Sequence, residues 1–531
     1  MKAHAMKKTA STRILFVTFP VFLGAVAFAD GPSPDDTRYC GIPDAYHSVT
    51  NRTFTGIPAL ARAANGRLWA TWYCGPTPAE DYGTYVVLST SDDDGRTWHE
   101  WRVADPDGQG PWRAFDPQLW ISPKGELWWL WAEQDESRTW TGHDKDGFWR
   151  KDTSTLFQRA MVLPDAGCPP SETPPVRTIA PGVTLGKPFT LSTGEWAMPI
   201  AVWFAEKSSG LYLSTDAGAT WKWRGGASVP RKYRTWDEHW MYECRDGRLV
   251  CWTRTSYGMG RAISKDRGLT WSEVRQVEGV KHTSSRFCFL RLKSGNLLMV
   301  KHGPVGLDVG RTQLLAYVSR DDGETWEGGL MIDERAESYP DGQVAEDGVV
   351  YLTYDYNRLR DRQVLLCTFT EEDVLARKPV SGKTRFRVVV TKSSGTTLIP
   401  SKVCAPDAHH SPATRGYVGS ECHVESPSGR LWKTFEAGPS FTNKSCARYS
   451  VLATSGDGGK TWKEVLISDP DGYPWPRCAR VPVLFVKDGW LEWMWLDENA
   501  LNQEYDCHLW RVRMPLESEP SPPYPIPSCL N

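Results

Sequence analysis

Short apolar runs alternate with turn signals along most of the chain. Residues 66–69, Gly-Arg-Leu-Trp, and residues 126–131, Glu-Leu-Trp-Trp-Leu-Trp, are typical, because each run leads out of a turn into a segment rich in Trp and Leu. This pattern predicts many short β-strands joined by tight turns. Six groups of strands can be separated in this way, near residues 54–104, 116–131, 185–226, 236–276, 283–330 and 338–376.

One eight-residue phrase, Ser-x-Asp-x-Gly-x-Thr-Trp, occurs five times, at residues 91–98, 214–221, 264–271, 319–326 and 455–462. Gly allows a positive φ, Asp and Thr can bond nearby backbone amides, and Trp buries a large ring against a neighbouring hairpin. A spacing of about 50 residues is typical of one four-stranded blade repeated around an axis. The sequence therefore predicts an all-β fold, a six-bladed β-propeller.

The C-terminal part repeats the first two blades. Residues 428–432 resemble residues 65–69, and residues 469–472 resemble residues 105–108. Both offsets are nearly the same as that between the first and last copies of the eight-residue phrase. We predict a propeller over 30–378, a linker over 379–414 and a duplicated blade pair over 415–531. An appended two-blade unit is favoured over an eight-bladed ring.

The N-terminus has the pattern of an export signal. Basic residues precede the apolar run 14–28, and Ala27-Phe28-Ala29 offers a small-residue cleavage site. We predict a signal peptide over 1–29 and a periplasmic or extracellular mature protein. The run is too short for a comfortable membrane span, and no later segment is apolar enough, so we expect no membrane span.

Composition narrows the possible partners. With 62 basic and 64 acidic residues the formal net charge is −2, which gives no support to nucleic acid as a partner. The His and Cys residues show no metal-ligand spacing and no phosphate-binding loop is present, so we expect no cofactor. We also expect a monomer. Cys244 and Cys251 flank a turn at hairpin distance, and both a disulfide and two free thiols remain open.

Over residues 50–376 the chain resembles the sialidase superfamily, whose Asp-box repeats match the eight-residue phrase. The segment from Glu238 to Arg254 looks like the family segment that carries a buried Glu and one Arg of the carboxylate-binding triad. Arg311, just before an apolar strand, is similar to another triad Arg, and Tyr339 matches the nucleophilic Tyr. The resemblance also implies that Asp81 is the general acid.

One position departs from the family pattern. The family's Arg-Ile-Pro appears here as Gly56-Ile57-Pro58, so the third Arg of the triad is missing. Either Arg113 or Arg286 replaces it, or the substrate is not an ordinary sialic acid. Asp116, at the start of the second blade, is a candidate for the pocket lining, as is Lys187 in the third, although bridges between blades are equally open.

The resemblance implies a retaining exo-glycosidase that releases a terminal α-linked sialic acid or related ulosonic acid from a glycan. A neutral Tyr339 can approach an anomeric carbon that carries a carboxylate, with Glu238 as its base and Asp81 as acid. Arg254 and Arg311 would bind the substrate carboxylate. Two alternatives remain: a polysaccharide lyase acting on uronates, and a non-catalytic carbohydrate-binding propeller, in which these side chains would not converge.

Overall fold

The computed structural model describes residues 40–77, 80, 83–108, 111–136, 140–143, 149–394, 402–438, 448–469, 477–499, 507–521 and 528–529. The predicted signal peptide over 1–29 and the proposed acid Asp81 lie outside the described residues. None of the described helices is long and apolar enough to cross a membrane.

Eight consecutive antiparallel sheets of four or five strands account for most of the described chain. The first comprises β1 (Cys40–Gly41), β2 (Phe54–Arg62), β3 (Leu68–Gly75), β4 (Tyr85–Ser91) and β5 (His99–Ala104). The second comprises β6 (Trp112–Ile121), β7 (Leu127–Asp135), β10 (Phe157–Leu163) and β11 (Val176–Pro181), with an inserted pair, β8 (Trp140–His143) and β9 (Trp149–Lys151). The third comprises β12 (Phe189–Thr190), β13 (Trp196–Ala201), β14 (Ser209–Ser214) and β15 (Lys222–Ala227). The fourth comprises β16 (Arg234–Glu243), β17 (Leu249–Thr255), β18 (Gly258–Ser264) and β19 (Arg275–Gln276).

The later sheets continue the same up-and-down order. The fifth comprises β20 (Cys288–Arg291), β21 (Leu297–His302), β22 (Leu314–Ser319) and β23 (Glu327–Asp333). The sixth comprises β24 (Glu337–Val344), β25 (Val350–Tyr356), β26 (Gln363–Phe369) and β27 (Arg385–Lys392), with helix α1 (Glu371–Ala376) between the last two strands. The seventh comprises β28 (Lys402–Cys404), β29 (Tyr417–Glu425), β30 (Leu431–Gly438), β31 (Tyr449–Ser455) and β32 (Lys463–Asp469). The eighth comprises β33 (Arg477–Lys487), β34 (Trp490–Asn499), β35 (Cys507–Pro515) and β36 (Ser528–Cys529). Short 3₁₀ turns occur at Val49–Asn51, Arg231–Tyr233, Ala408–His410 and Pro412–Thr414.

The eight-residue phrases form the turns before the last strand of five sheets. In the first, Ser91 Oγ accepts from the Gly95 amide at 2.9 Å, and Asp93 Oδ1 accepts from the Thr97 amide at 2.9 Å. Gly95 has a φ of +80°, which suits glycine. The same Ser and Asp bonds recur in the other four copies. Each turn is therefore fixed by its own side chains.

Buried apolar clusters join neighbouring sheets. Separate clusters connect the first sheet with the second and third, the third with the fourth, and the fourth with the fifth and sixth. A further cluster joins the first sheet to the sixth, where Leu60 and Leu68 pack with Val364 and Leu366. The seventh and eighth sheets share a core of their own. The hydrophobic effect therefore connects the first six sheets to one another.

Asp341, on β24 of the sixth sheet, connects four sheets. It is fully buried, and its carboxylate accepts from the Leu60 amide at 3.0 Å and from Gln118 Nε2 at 2.9 Å. Lys187 Nζ, just before the third sheet, lies 3.0 Å from its Oδ1. A buried charge requires such partners. Lys187 is therefore a bridge between sheets.

The stretch expected to be a linker over 379–414 contains two strands. β27 pairs with β26, where Val388 lies opposite Leu366, so the sixth sheet extends to Lys392 and does not end near residue 378. β28 pairs with the outer edge of β32. The Ser, Thr, Lys and Pro residues around these strands concealed them. Cys244 and Cys251 are both free and buried, so they form no disulfide.

Contacts of the first two sheets recur in the last two. Arg52 binds Glu100 through two nitrogens, and Arg415 binds Glu464 in the same way. Trp69 Nε1 donates to a carbonyl of the following sheet at 2.7 Å, and Trp432 Nε1 does so at 2.8 Å. The two regions therefore share side-chain contacts as well as sequence patterns.

Candidate active site

A β-bulge interrupts each of four strands, β2, β6, β16 and β24. In the first, second and sixth sheets the bulge contains a residue of positive φ directly before a proline, namely Ile57 (φ 55°), Asp116 (φ 46°) and Tyr339 (φ 55°). In the fourth sheet Asp237 (φ 51°) has this conformation. A bulge changes the direction of a side chain relative to a regular strand. These strained positions are therefore candidates for function.

Tyr339, Glu238 and Arg254 lie together, as the sequence suggested. The Tyr339 hydroxyl donates to Glu238 Oε1 at 3.0 Å, and Arg254 Nη1 donates to the same oxygen at 2.8 Å. Arg254 Nη1 also lies 3.2 Å from the Tyr339 hydroxyl. All three residues are buried, with relative exposures of 4%, 5% and 7% respectively. Such a charge-assisted network holds the phenol in one orientation.

Burial is the largest effect on the pKa of Tyr339 and raises it, and the negative charge of Glu238 raises it further. Arg254, Arg311 and Arg358 act in the opposite direction, but the net pKa of Tyr339 is raised. The phenol therefore remains protonated at neutral pH and donates its proton toward Glu238. Any attack by its oxygen requires Glu238 to accept that proton during the reaction.

Arg311 completes this group from the fifth sheet. Its Cζ lies 5.5 Å from the centre of the Tyr339 ring, and its Nη2 donates to the Ser284 carbonyl at 3.3 Å. Arg254 Nε donates to the Ser284 hydroxyl at 3.1 Å. Burial lowers the pKa of Arg311, and the positive charges of Arg358 and Arg254 lower it further, whereas Tyr339 opposes them. The positive charges of Arg254, Arg311 and Arg358 are therefore close together beside the Tyr339 hydroxyl.

Arg358, which sequence reasoning missed, is part of the same group. It lies in the turn after β25, and its Cζ is 5.1 Å from the centre of the Tyr339 ring. Its Nη2 pairs with Glu80 Oε1 at 2.9 Å, and the Tyr73 hydroxyl donates to the other oxygen of Glu80 at 2.6 Å. Burial would raise the pKa of Glu80, but Arg358, Tyr73 and Arg113 reverse that effect and leave it lowered.

The two arginines expected to replace the missing triad Arg have other partners. Arg286 donates to the carbonyls of Leu185 and Pro58, at 3.3 and 3.1 Å, although its Cζ lies 5.0 Å from the Tyr339 ring centre. Arg113 Nε pairs with Glu136 at 2.5 Å, and its Nη1 donates to the Glu80 carbonyl at 2.8 Å. Both therefore connect neighbouring segments around the pocket.

Asp116 is a buried carboxyl of the same region. Burial raises its pKa to about 7, to which the charges of Glu238 and Glu80 also contribute, while Arg286 and Arg113 oppose the rise. A carboxyl with such a pKa retains its proton near neutrality in part of the molecules and can act as an acid. Among the described residues, no group of three or more His, Cys, Asp or Glu is arranged to hold a metal ion.

Comparison with known proteins agrees with this architecture. Residues 113–352 match the family model of the BNR repeat-like domain. Among solved structures, the leech intramolecular trans-sialidase, complexed with 2,7-anhydro-Neu5Ac, is 14% identical over 64% of this chain and 71% of that chain, with a TM-score of 0.50. The chain therefore contains a BNR repeat-like domain over residues 113–352, and its fold is similar to that of this solved trans-sialidase.

Two other solved sialidases are also similar to this chain. A Hadza microbial sialidase is 20% identical, over 57% of this chain and 64% of that chain, with a TM-score of 0.47. The Trypanosoma rangeli sialidase is 11% identical over 90% and 88%, with a TM-score of 0.42. The match therefore spans less than two thirds of the Hadza sialidase. A comparison with curated protein sequences gives no match.

Two residues of this candidate site had only weak signals in the sequence. Glu80 is the neighbour of Asp81, in a loop rich in acidic residues that resembles a solvated turn. Arg358 is one of three arginines within six residues after β25, and nothing local distinguishes it from Arg360 and Arg362. Its position depends on the packing of the sixth sheet against the first.

Proposed function

We propose that the protein is an exported retaining exo-glycosidase that releases a terminal α-linked sialic acid, or a related ulosonic acid, from a glycan. The observation that carries this proposal is the hydrogen bond from the Tyr339 hydroxyl to Glu238, beside Arg254 and Arg311. A non-catalytic propeller gives no reason for a phenol, a carboxylate and several arginines to converge in a buried group. Export rests on the predicted signal peptide over 1–29.

In the first step, Tyr339 Oη forms a bond to the anomeric carbon while the bond to the leaving glycan oxygen breaks. Glu238 accepts the phenolic proton, and the leaving oxygen accepts a proton from a carboxylic acid. In the second step, water replaces Tyr339 at the anomeric carbon and gives its proton to the carboxylate formed in the first step. Glu238 then returns the proton to the phenolate. Two displacements retain the configuration of the sugar.

Two carboxyls are candidates for the acid. Asp81 is proposed because of the resemblance stated above, and it lies outside the described residues. Asp116 is supported by its pKa of about 7, which allows it to hold a proton at neutral pH. The variants Asp81→Asn and Asp116→Asn separate the two, because loss of the acid affects substrates with poor leaving groups far more than activated aryl ketosides.

We also infer that the first six sheets form one ring around this pocket, while the seventh and eighth form an appended pair. The shared clusters between consecutive sheets, and the cluster between the sixth and first, support this inference. The C-terminal pair repeats contacts of the first two sheets, whereas Glu238, Arg311 and Tyr339 belong to the fourth, fifth and sixth sheets. We therefore propose one active site per chain, and a monomer as the functional unit.

The decisive experiment measures release of 4-methylumbelliferone from α-ketosides of sialic acid and other ulosonic acids. We expect Tyr339→Phe to lower kcat/KM by about 10³-fold or more, and Glu238→Gln by about 10²-fold or more. Tyr212→Phe is the matched control, because the ring of this tyrosine packs edge-on against Trp223 in the third sheet. We expect it to leave kcat/KM unchanged.

The stereochemistry of the product provides a second readout. A retaining enzyme forms the α anomer first, which NMR detects before mutarotation. Inactivity of the wild-type protein on every ketoside, or full activity of Tyr339→Phe, would refute the proposal. Appearance of an unsaturated product that absorbs in the near ultraviolet would favour the lyase alternative.

A further inference from the structure

We infer that Arg358 supplies the third guanidinium for the substrate carboxylate, in place of the arginine missing at position 56. This inference rests on the proposed function, since it names the residue that completes the same anion site. The arginine reaches the pocket from the turn after β25 in the sixth sheet, whereas the family pattern would place it on β2 in the first sheet.

The side chain of Arg358 lies against Gly56. A Cβ built on Gly56 would lie 2.8 Å from Arg358 Cβ and 3.1 Å from Arg358 Cδ, both shorter than a normal contact. A Cβ would also lie 3.0 Å from Asp355 Oδ2. The stem of Arg358 therefore fills the space that a side chain at position 56 would need. Gly56 and Arg358 are best understood as one arrangement, in which the arginine has moved and the glycine makes room.

The backbone fixes this arrangement. The Thr55 amide donates to the Arg358 carbonyl at 3.1 Å, and the Ile57 amide donates to Asp355 Oδ2 at 2.9 Å. The end of β25 and the turn that carries Arg358 are therefore bonded to both neighbours of Gly56. Its side chain begins beside the strand on which the missing arginine would have stood.

The hydrogen bonds of Arg358 also support the inference. Glu80 binds its Nη2, whereas its Nη1 is buried and has no hydrogen-bond partner among the described residues. Glu238 Oε2 is also buried without such a partner there. A buried guanidinium N–H without an acceptor is costly, unless a ligand provides the acceptor. The open nitrogen of Arg358 therefore indicates an anion between Arg358 and its neighbours.

The positive charge of the group formed by Arg254, Arg311 and Arg358 supports the inference as well. Arg254, Arg311 and Arg358 all act on the pKa of Tyr339, and Arg358 and Arg254 both disfavour the charge on Arg311. Three guanidinium groups this close together, of which Arg254 is buried and Arg311 and Arg358 are half-buried, repel one another, and a carboxylate among them relieves that repulsion. A planar carboxylate fits the guanidinium fork better than a single-point anion does. The group therefore fits a sugar acid.

The test measures how strongly the protein prefers a carboxylate over an uncharged analogue. Isothermal titration calorimetry compares 2,3-dehydro-2-deoxy-N-acetylneuraminic acid with its primary carboxamide, in the full-length protein and in Arg358→Met. Methionine retains the packing of the aliphatic stem but removes the charge. Charge-assisted hydrogen bonds contribute about 1.5–3 kcal/mol, so we expect the preference for the carboxylate to fall by about 10- to 100-fold.

The matched control is Arg360→Met, two residues along the same turn and exposed. We expect it to retain the wild-type preference. Because Arg358→Met leaves Glu80 without its cation, Arg358→Met with Glu80→Gln serves as the second variant if the single one is unstable. The preference is a ratio of two affinities in one sample, so a partly unfolded sample does not change it.

The outcomes separate this inference from the proposed function. A fall in preference with Arg358→Met, without one in Arg360→Met, supports the inference. A preference that stays within threefold of wild type in both Arg358 variants, while Arg254→Met abolishes it, overturns the inference and leaves the proposed function intact. A wild-type protein that binds neither compound overturns both.

Discussion

Replacing Asp116 by Asn should change how the stability of the protein depends on pH. Asp116 has a pKa of about 7 in the folded protein, because it is buried near Glu238 and Glu80, against an ordinary value of 3.8. The folded state therefore favours the protonated carboxyl. Asn imitates that neutral form at every pH, and so removes the cost of ionising the group.

The sign and the size of the effect follow from the two pKa values. A raised folded pKa contributes stability that is fully present below pH 3.8 and is lost as the pH rises to about 7. At about 1.36 kcal/mol per pH unit, most of the loss between pH 5 and 8 occurs below pH 7, which gives about 2–3 kcal/mol. The advantage of Asp116→Asn over the wild type should grow by that amount across this range.

Urea denaturation followed by Trp fluorescence at pH 5, 6, 7 and 8 measures this difference. Asp216→Asn is the control, because the bonds from Thr220 and Ser214 lower the pKa of Asp216 to about 2. That carboxylate is ionised throughout the range in both states, so its variant should differ from the wild type by a constant amount. A difference for Asp116→Asn that is equally flat would refute the reasoning.

Two further predictions concern the packing of the sheets. Trp69→Phe and Trp432→Phe should each lower the free energy of unfolding by about 1–3 kcal/mol, because each leaves a carbonyl without its indole donor. Urea denaturation measures both, and a loss in only one variant would contradict the equivalence of the two regions. Gly218→Ala should lower Tm by several degrees more than Gly348→Ala. Both glycines have positive φ, but a Cβ on Gly218 would lie 2.5 Å from Trp128, whereas one on Gly348 meets nothing within 4 Å. Equal values of Tm would show that strain in φ, and not the contact, determines the cost.

Local chemistry explains which parts of the fold could be predicted. The five turns were recognisable because their hydrogen bonds join residues no more than four apart, as between Asp93 and Thr97. β27 was missed because its evidence lies in the pairing of Val388 with Leu366, and not in its own flanks. Strand pairing between distant segments leaves a weaker trace in sequence than a turn does.

Some residues of the candidate site could likewise be named from the sequence, and others could not. Tyr339, Glu238 and Arg254 could be named because the resemblance carried their order along the chain, and the structure brings their side chains together. Arg358 could not, because its place beside Gly56 depends on the contact between the first and sixth sheets. Arg286 was also named from the sequence, and its guanidinium donates to the carbonyls of Leu185 and Pro58 while lying beside the Tyr339 ring.

Asp341 has a consequence for the order in which the chain can fold during synthesis. Leu60 and Asp341 are 281 residues apart, and Lys187 has its buried carboxylate partner only once Asp341 has been made. At about 5–20 residues per second, the ribosome needs at least about 14 seconds to add those residues. During that time the inner strands of the first three sheets lack the acceptor that joins them. The nascent chain must therefore wait for its sixth sheet, and truncated products that end before Asp341 should be substrates for chaperones and proteases.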